Sequence, residues 1–331
     1  MLSEKAQLNR KVFDADVEQA PIRSGFGKGL LEAGKRDSRV VGLCADLTDS
    51  TNMNFFKEAF PERFVEIGVA EQNLAAVASG MAAMGKIPFI TSYAMFSPGR
   101  NWEQIRTTIG YNDRPVKIAG SHAGVSVGPD GGTHQALEDI ALTRVIPRMV
   151  VLSPCDAIEA RKATIAAAKT STPVYIRLAR EKTPLITTDN TSFLIGKAEL
   201  FFEPSSGAPD VGIIATGALV HEALKAAHAL EALGVKVSVL NLATIKPLDE
   251  DAIIALARSA RALVTVEEHQ RIGGMGSSIA ELVSSRVPVP IEFVAINDEY
   301  GQSGTPLELL TYYKLTMPHI MEAAQRAIKR K

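Results

Sequence analysis

The sequence of 331 residues contains only two cysteines, one tryptophan and no long apolar run. Cys44 and Cys155 have apolar, strand-like neighbours and no metal-site or disulfide spacing, which favours the reducing cytoplasm. No apolar run approaches the roughly 18 residues of a membrane span, and the first residues lack the apolar core of a signal peptide. The formal net charge of −1 gives no basic surface for nucleic acids or anionic membranes.

Apolar runs of strand length alternate with segments of helical period along most of the chain. This pattern predicts an α/β protein with two domains, each a mainly parallel sheet with helices on both faces. Between residues 181 and 210 the helical period is lost and Pro, Thr and Ser increase, so we expect an interdomain connection there. The predicted strands are 39–46, 63–68, 87–91, 116–121, 149–154 and 173–179, then 211–218, 236–242, 262–269 and 291–298.

Polar and aromatic side chains follow the predicted strands of the first domain. They are Asp46 at the end of the first strand, Glu71 after the second, Tyr93 and Phe96 after the third, His122 after the fourth and Arg180 after the last. Ligands bind beyond the carboxyl ends of parallel strands, so we expect these residues to share one site. The second domain has few such residues, and chemistry is therefore expected in the first.

Glu71 lies in the first turn of a helix predicted within "FVEIGVAEQNLAAVASG". A carboxylate there is favoured by the free amides and the helix dipole, so it has a simple stabilising interpretation. Its small and apolar neighbours oppose ionisation, which suits a carboxyl group that shares a proton. The residues alone leave both interpretations open.

The loop "SHAGVSVGPDGGTHQALED", residues 121–139, combines several glycines with His122, Asp130 and His134. A flexible backbone that carries such side chains favours a pocket wall that approaches a ligand closely. A helix is expected to begin near Gln135.

The remaining candidates form an aromatic pair and an arginine pair. Tyr93 and Phe96 are three residues apart, a spacing more typical of a core, but their place beside the Glu71 strand favours a binding platform. Arg23 and Arg180 at loop ends suit a phosphate group as bidentate donors.

Two cofactor classes are disfavoured. His122 and His134 lack a third ligand with convincing spacing for zinc. "RIGGMGSSIAEL", residues 271–282, has Ile279 where the last glycine of a dinucleotide loop belongs, so close packing of a strand against a helix explains it better.

Four motifs in order, "GVAEQN", "IPFITSYAMF", "SHAGVSVGPDGGTHQALED" and "TIKPLD", resemble the transketolase family of thiamine diphosphate enzymes. The resemblance covers nearly the whole chain. It implies a pyrimidine-binding domain at about 12–190, a linker at 191–210 and a transketolase C-terminal domain at 211–331.

The resemblance also implies roles for the cofactor-binding residues. Glu71 would contact the aminopyrimidine ring of thiamine diphosphate and share a proton with it, which answers the question left open above. Phe96 would stack on that ring with Tyr93 beside it, and Asp46 would lie near the cofactor. The segment "SPGRNW" departs from the family because Gly99 replaces a common aromatic residue, for which Trp102 is a candidate substitute.

For the sugar phosphate, the resemblance implies contacts with hydroxyl and phosphate groups and help with proton transfer by the two histidines. The residues are Arg23, Ser50, His122, Asp130, His134 and Arg180. The implied reaction moves a two-carbon ketol unit from a ketose phosphate to an aldose phosphate, as in the pentose phosphate pathway.

The family binds Mg²⁺ and the diphosphate through Gly-Asp-Gly and a later Asn, and this sequence has no Gly-Asp-Gly. We therefore expect a split enzyme in which a separate N-terminal subunit carries the diphosphate-binding domain and the magnesium ion. Active sites would form between subunits, with two copies of each chain.

Three alternatives remain. A 1-deoxyxylulose-5-phosphate synthase usually has Asp-Arg-Ala-Gly where this chain has "SHAG" at 121–124, and a 2-oxoacid dehydrogenase β subunit has no comparable "GGTHQ". A non-catalytic binding relative is disfavoured because Glu71 and both histidines are present.

Overall fold

The computed structural model describes residues 1–331. The strands are β1 Gln19–Pro21, β2 Val40–Cys44, β3 Phe64–Glu66, β4 Ile87–Tyr93, β5 Lys117–Ser121, β6 Val150–Leu152, β7 Val174–Arg177, β8 Lys182–Pro184, β9 Glu199–Phe202, β10 Val211–Ala215, β11 Val237–Asn241, β12 Thr244–Lys246, β13 Leu263–Gln270 and β14 Ile291–Ile296. The predicted α/β class is confirmed, and each predicted strand overlaps an observed one.

The helices alternate with these strands. They are α1 Ile22–Arg36, α2 Asn54–Ala59, α3 Glu71–Ala83, α4 Trp102–Gln104, α5 Asp139–Arg144, α6 Ala157–Ala168, α7 Val220–Ala232, α8 Glu250–Ala260, α9 Met275–Arg286, α10 Pro306–Tyr312 and α11 Met317–Lys329. A π-helical segment, Ile105–Gly110, continues α4, and 3₁₀ turns occupy Glu4–Ala6, Pro61–Arg63, Val125–Val127 and Gly217–Leu219. None of the helices has the length and apolar character required to cross a bilayer.

The first sheet has seven strands in the order β12-β6-β7-β5-β4-β2-β3, all parallel except β12. Phe26 of α1 and Ala163 of α6 pack on one face, whereas Leu74 and Ala78 of α3 pack on the other. Burial of both faces explains why these strands read as continuous apolar runs. The register pairs Tyr93 of β4 with Ser121 of β5, which aligns the carboxyl ends that carry the predicted site.

The second sheet has five strands in the order β14-β13-β10-β11-β9, with β9 antiparallel. Helices α7 and α11 contribute to the core on one face, and α8 and α9 contribute to the core on the other. The latter core also includes Ile118 and Tyr175 of the first sheet, so the two domains share apolar packing.

The predicted domain limits stay a prediction, but the structure adds detail near them. β9 lies inside the predicted linker 191–210 and belongs to the second sheet. In turn, β12 comes from the second half of the chain and forms the edge of the first sheet.

The helix expected near Gln135 begins instead at Asp139. The Gln135 side chain explains the delay, because its Nε2 donates to the carbonyl oxygens of Val125, Gly128 and Gln302 at 3.0 to 3.2 Å. Gln135 therefore holds the preceding loop in place and does not start a helix.

Candidate active site

Four aromatic and imidazole rings meet at the carboxyl edge of the first sheet. The Tyr93 ring stacks on His122 with centroids 3.9 Å apart and lies 6.4 Å from Phe96 with an interplanar angle of 19°. The His134 ring stands edge-on to Phe96 at 5.5 Å and to Tyr93 at 6.3 Å. The structure thus brings Tyr93, Phe96 and His122, which the sequence predicts for one site, together with His134 of the predicted pocket loop. We call these four rings the ring cluster.

Glu71 is the first residue of α3 and is only 3% exposed. The Ser92 hydroxyl donates to Oε1 at 3.2 Å, and Asn101 Nδ2 donates to the Glu71 carbonyl oxygen at 3.0 Å. Ser92 immediately precedes Tyr93, so the bond links Glu71 to the strand that carries the ring cluster. Sequence reasoning missed Ser92 and Asn101, although Ser92 lies next to a predicted site residue.

His122 lies directly after β5 and is buried, with a φ of 56° in the left-handed region. Strained backbone of this kind persists where the surrounding structure enforces it, often at functional sites. Burial lowers the pKa of His122 to about 3, with further lowering by Arg23, Arg180 and His134, so the ring is neutral at neutral pH. The Ser121 hydroxyl lies 2.9 Å from Nδ1, and Nε2 has no hydrogen-bond partner in the chain.

Arg23 and Arg180, the two candidates for a phosphate-binding pair, are adjacent in the structure. Arg23 Nη1 donates to the Arg180 carbonyl oxygen, whereas the buried Arg23 Nε has no partner. Burial and the neighbouring Arg180 lower the pKa of Arg23. Arg180 Nη1 donates to the Val127 carbonyl oxygen at 2.5 Å and lies 3.9 Å from Asp130 Oδ2. A buried N–H without an acceptor beside a second guanidinium suits an incoming anion.

Asp46 and Ser50 lie in the turn after β2, and no hydrogen bond connects either side chain to the ring cluster. The Asp46 side chain is exposed, and its backbone has a φ of 58°. Glu66, at the end of β3, fixes this turn by accepting bonds from the Asp46 N–H at 2.7 Å and from the Thr48 hydroxyl at 3.1 Å. Sequence reasoning missed Glu66, because the predicted strand 63–68 runs past it, whereas the observed β3 ends at Glu66.

Comparison with known proteins decides the family. The family described as "Transketolase, pyrimidine binding domain" matches residues 18–185, and the "Transketolase, C-terminal domain" matches residues 203–320. A putative transketolase C-terminal section of Methanocaldococcus jannaschii is 41% identical over 93% of this chain and 96% of that protein. The chain belongs to the transketolase family.

Two further relatives of this transketolase chain are informative. A 6-deoxy-6-sulfo-D-fructose transketolase subunit of Clostridium sp. is 38% identical over 96% of this chain and 98% of that protein. A solved structure described as a split gene transketolase, an inactive beta4 tetramer, is 42% identical with a TM-score of 0.87, covering 94% of this chain and 99% of that one. Family membership implies dependence on thiamine diphosphate.

The site fits the pyrimidine end of that cofactor. Tyr93 and Phe96 are half-buried and offer apolar ring surface, and the buried Glu71 carboxyl group lies beside the same strand. No group of three or more histidine, cysteine, aspartate or glutamate side chains is arranged to hold a metal ion.

The structure explains why Gly99 replaces an aromatic residue and where the candidate substitute, Trp102, lies. A Cβ atom at Gly99 would lie 1.9 Å from the Met95 carbonyl oxygen, so an aromatic side chain does not fit this backbone. Trp102 Nε1 donates to the Leu142 carbonyl oxygen at 2.7 Å, and its ring packs on the core beneath the site. Trp102 therefore makes no ring contact with the ring cluster.

The glycines at 273–276 have a structural role. The Glu267 carboxylate accepts bonds from the N–H groups of Met275 and Gly276, at 2.7 and 2.8 Å, at the start of α9. The amides that would bind a phosphate are thus already paired with a buried carboxylate of the chain.

Proposed function

We propose that the chain is the C-terminal subunit of a thiamine diphosphate-dependent transketolase. The reaction moves a two-carbon ketol unit from a ketose phosphate to an aldose phosphate, the chemistry of the pentose phosphate pathway. The observation that carries the proposal is one sheet edge where the buried Glu71, the ring cluster and the arginine pair come together. When bound, thiamine diphosphate supplies the electron sink for making and breaking the carbon–carbon bond.

Glu71 is proposed to exchange a proton with the aminopyrimidine ring, and Phe96 and Tyr93 to hold that ring by stacking. Ser92 fixes one carboxyl oxygen of Glu71 by its 3.2 Å bond. His122 is neutral at neutral pH, so it is proposed to hydrogen-bond a substrate hydroxyl through Nε2 and to assist proton transfer. His134 and Asp130 are proposed to bind the hydroxyls of the sugar, and Asp46 and Ser50 to complete the cofactor and phosphate contacts.

Arg23 and Arg180 are proposed to bind the terminal anion of the sugar. The unpaired Arg23 Nε supports this assignment, because an anion would supply its missing acceptor. A relative is named for a sulfo sugar, so the preferred anion is a phosphate or a sulfonate, and parallel assays with both classes of substrate distinguish them.

The diphosphate and Mg²⁺ are proposed to be held by a separate N-terminal subunit, with two copies of each chain in the assembly. The relative named as a C-terminal section and the inactive tetramer of a split transketolase support this proposal. The two buried free cysteines favour a cytoplasmic location.

The decisive experiment is reconstitution. The purified chain is expected to transfer no ketol groups by itself, and the N-terminal subunit, thiamine diphosphate and Mg²⁺ together are expected to restore transfer. Ketol transfer by the chain alone would contradict the need for a partner. No transfer in the complete mixture, with either phosphorylated or sulfonated sugars, would contradict the proposed reaction.

A further inference from the structure

The loop that carries the two site histidines is bound at its middle to the second domain. Glu268 of β13 is buried and accepts two bonds from Ser126, one from the backbone N–H at 2.5 Å and one from the hydroxyl at 3.1 Å. Both oxygens of one second-domain carboxylate are thus used by one residue of a first-domain loop. The sequence predicts few functional residues in the second domain, and Glu268 near the end of β13 is a second-domain residue that contacts this loop.

The backbone around this contact is closely packed. A Cβ atom at Gly124 would lie 2.4 Å from the Glu268 carboxyl carbon, and Gly124 has a φ of 91°, a conformation that favours glycine. The carboxylate therefore packs directly against the backbone two residues after His122. Ser126 lies in the 3₁₀ turn Val125–Val127.

The same turn connects to both halves of the site. On one side its chain runs back to His122, which stacks on Tyr93. On the other side, the Val127 carbonyl oxygen accepts the bond from Arg180 Nη1. A shift of this turn would consequently move an imidazole and a guanidinium together.

Glu268 is itself firmly placed. Arg177 of β7 donates to the Glu268 carbonyl oxygen at 2.7 Å and to Asp139 Oδ2 at 2.9 Å, with all three residues buried. Burial raises the pKa of Glu268, and the nearby Arg177 charge offsets part of this effect. The contact between Glu268 and Ser126 therefore links the two domains through a residue that is held in place.

We infer that Glu268 is a positioning residue, through which the second domain holds the 124–127 turn so that His122 and Arg180 keep their places in the site. The consequence for catalysis rests on the proposed function, whereas the consequence for the loop does not.

The neighbouring residue provides a matched control. Glu267 lies on the same strand, is also buried, and also accepts two bonds from backbone N–H groups, but it holds α9 inside the second domain. Glu268→Gln and Glu267→Gln therefore each replace a buried carboxyl group by an amide of the same shape. Only the first change touches the histidine loop.

The first measurement is amide hydrogen exchange on the full chain without cofactor. Glu268→Gln is expected to speed exchange at residues 123–128 by about tenfold over the native chain, and Glu267→Gln to leave those amides unchanged while it loosens the start of α9. In the reconstituted enzyme, Glu268→Gln is expected to lower kcat by about 10- to 100-fold and to raise KM for the phosphorylated sugar but not for glycolaldehyde.

Equal effects of the two variants on exchange in the loop would overturn the inference, because a general loss of stability would explain them. Unchanged exchange in the loop of Glu268→Gln would also overturn it. Should Glu268→Gln fail to fold, Ser126→Ala removes one bond from the loop side and is expected to give the same local increase in exchange, so an unchanged loop there also overturns it. A loosened loop in a chain whose native complex transfers no ketol groups would reject the proposed function and leave the positioning role standing. Normal ketol transfer by the native complex, together with unchanged exchange at residues 123–128 in Glu268→Gln, would support the proposed function and reject the positioning role.

Discussion

Replacement of Arg23 with Ala is expected to separate binding of the substrate anion from stability of the fold. In the free chain Arg23 Nε is buried without a partner, and Arg180 lies close enough to lower the Arg23 pKa. The side chain is thus in an unfavourable environment that a bound anion would relieve. A residue with this pattern is expected to contribute to affinity more than to folding.

The magnitude follows from the bonds in the site. One charged hydrogen bond to the anion is worth about 1.5 to 3 kcal/mol, so Arg23→Ala is expected to weaken binding of the phosphorylated sugar by about 10- to 150-fold. The folded chain loses one bond to the Arg180 carbonyl oxygen but also loses an unpaired buried N–H. These effects oppose each other, so the free energy of unfolding is expected to change by less than about 1 kcal/mol.

The assays are steady-state kinetics of the reconstituted enzyme and urea denaturation of the chain. KM for a phosphorylated sugar is expected to rise, whereas KM for glycolaldehyde stays constant. Arg161→Ala serves as a control, because Arg161 of the same domain is already paired with Glu32 and Asp189 on the surface. Equal loss for both substrates in Arg23→Ala, or an equal rise in KM for the phosphorylated sugar in Arg161→Ala, would refute the reasoning.

Three other changes test the remaining parts of the site. Glu71→Gln keeps the shape but removes the exchangeable proton, so turnover is expected to fall on the order of a hundredfold or more while calorimetry still detects cofactor binding; near-normal turnover would reject the role of Glu71. The pKa of His122 is about 3 in the fold against 6.5 for an ordinary histidine, so the unfolded chain binds the extra proton between these values and stability rises with pH from about 3 to 6.5. His122→Asn, which tolerates the positive φ, is expected to flatten that part of the unfolding profile, and an unchanged slope would contradict the assignment. Gly99→Ala is expected to cost about 1 to 3 kcal/mol of unfolding free energy in urea titrations, because its Cβ would meet the Met95 carbonyl oxygen; an unchanged midpoint would show that the loop moves aside.

The strands and most of the ring cluster were predictable because their causes are local. Strands buried on both faces leave apolar runs in the sequence, and their carboxyl ends mark the loops that hold Tyr93, His122 and Arg180. The later start of α5 was not predictable, because it depends on the three bonds of Gln135, one of them to Gln302. A contact between residues so far apart in the sequence leaves no local pattern.

The residues that support the site were missed for the same reason. Ser92 follows the predicted strand 87–91, so a stricter use of the strand-end rule selects it. Glu66 lies inside the predicted strand 63–68 and is a strand end only in the structure. Asn101 acts through the Glu71 backbone, and such a bond depends on the path of the loop between them. Glu268 depends on how two domains pack, which the sequence of either domain does not specify.

The two domains are joined by shared packing around the site, and this affects how the proposed partner subunit would complete the site. β12 extends the first sheet from the second half of the chain, and Lys246 at its end donates to the carbonyl oxygens of Arg144 and Ile146. Ile118 of the first sheet and Ile253 of α8 share one apolar core, and close packing of this kind resists sliding. The sheet edge that carries Glu71 and the ring cluster is therefore supported by the second domain. A partner subunit would meet a preorganised surface, and little of its binding energy would be spent on ordering Glu71, the rings or the arginines.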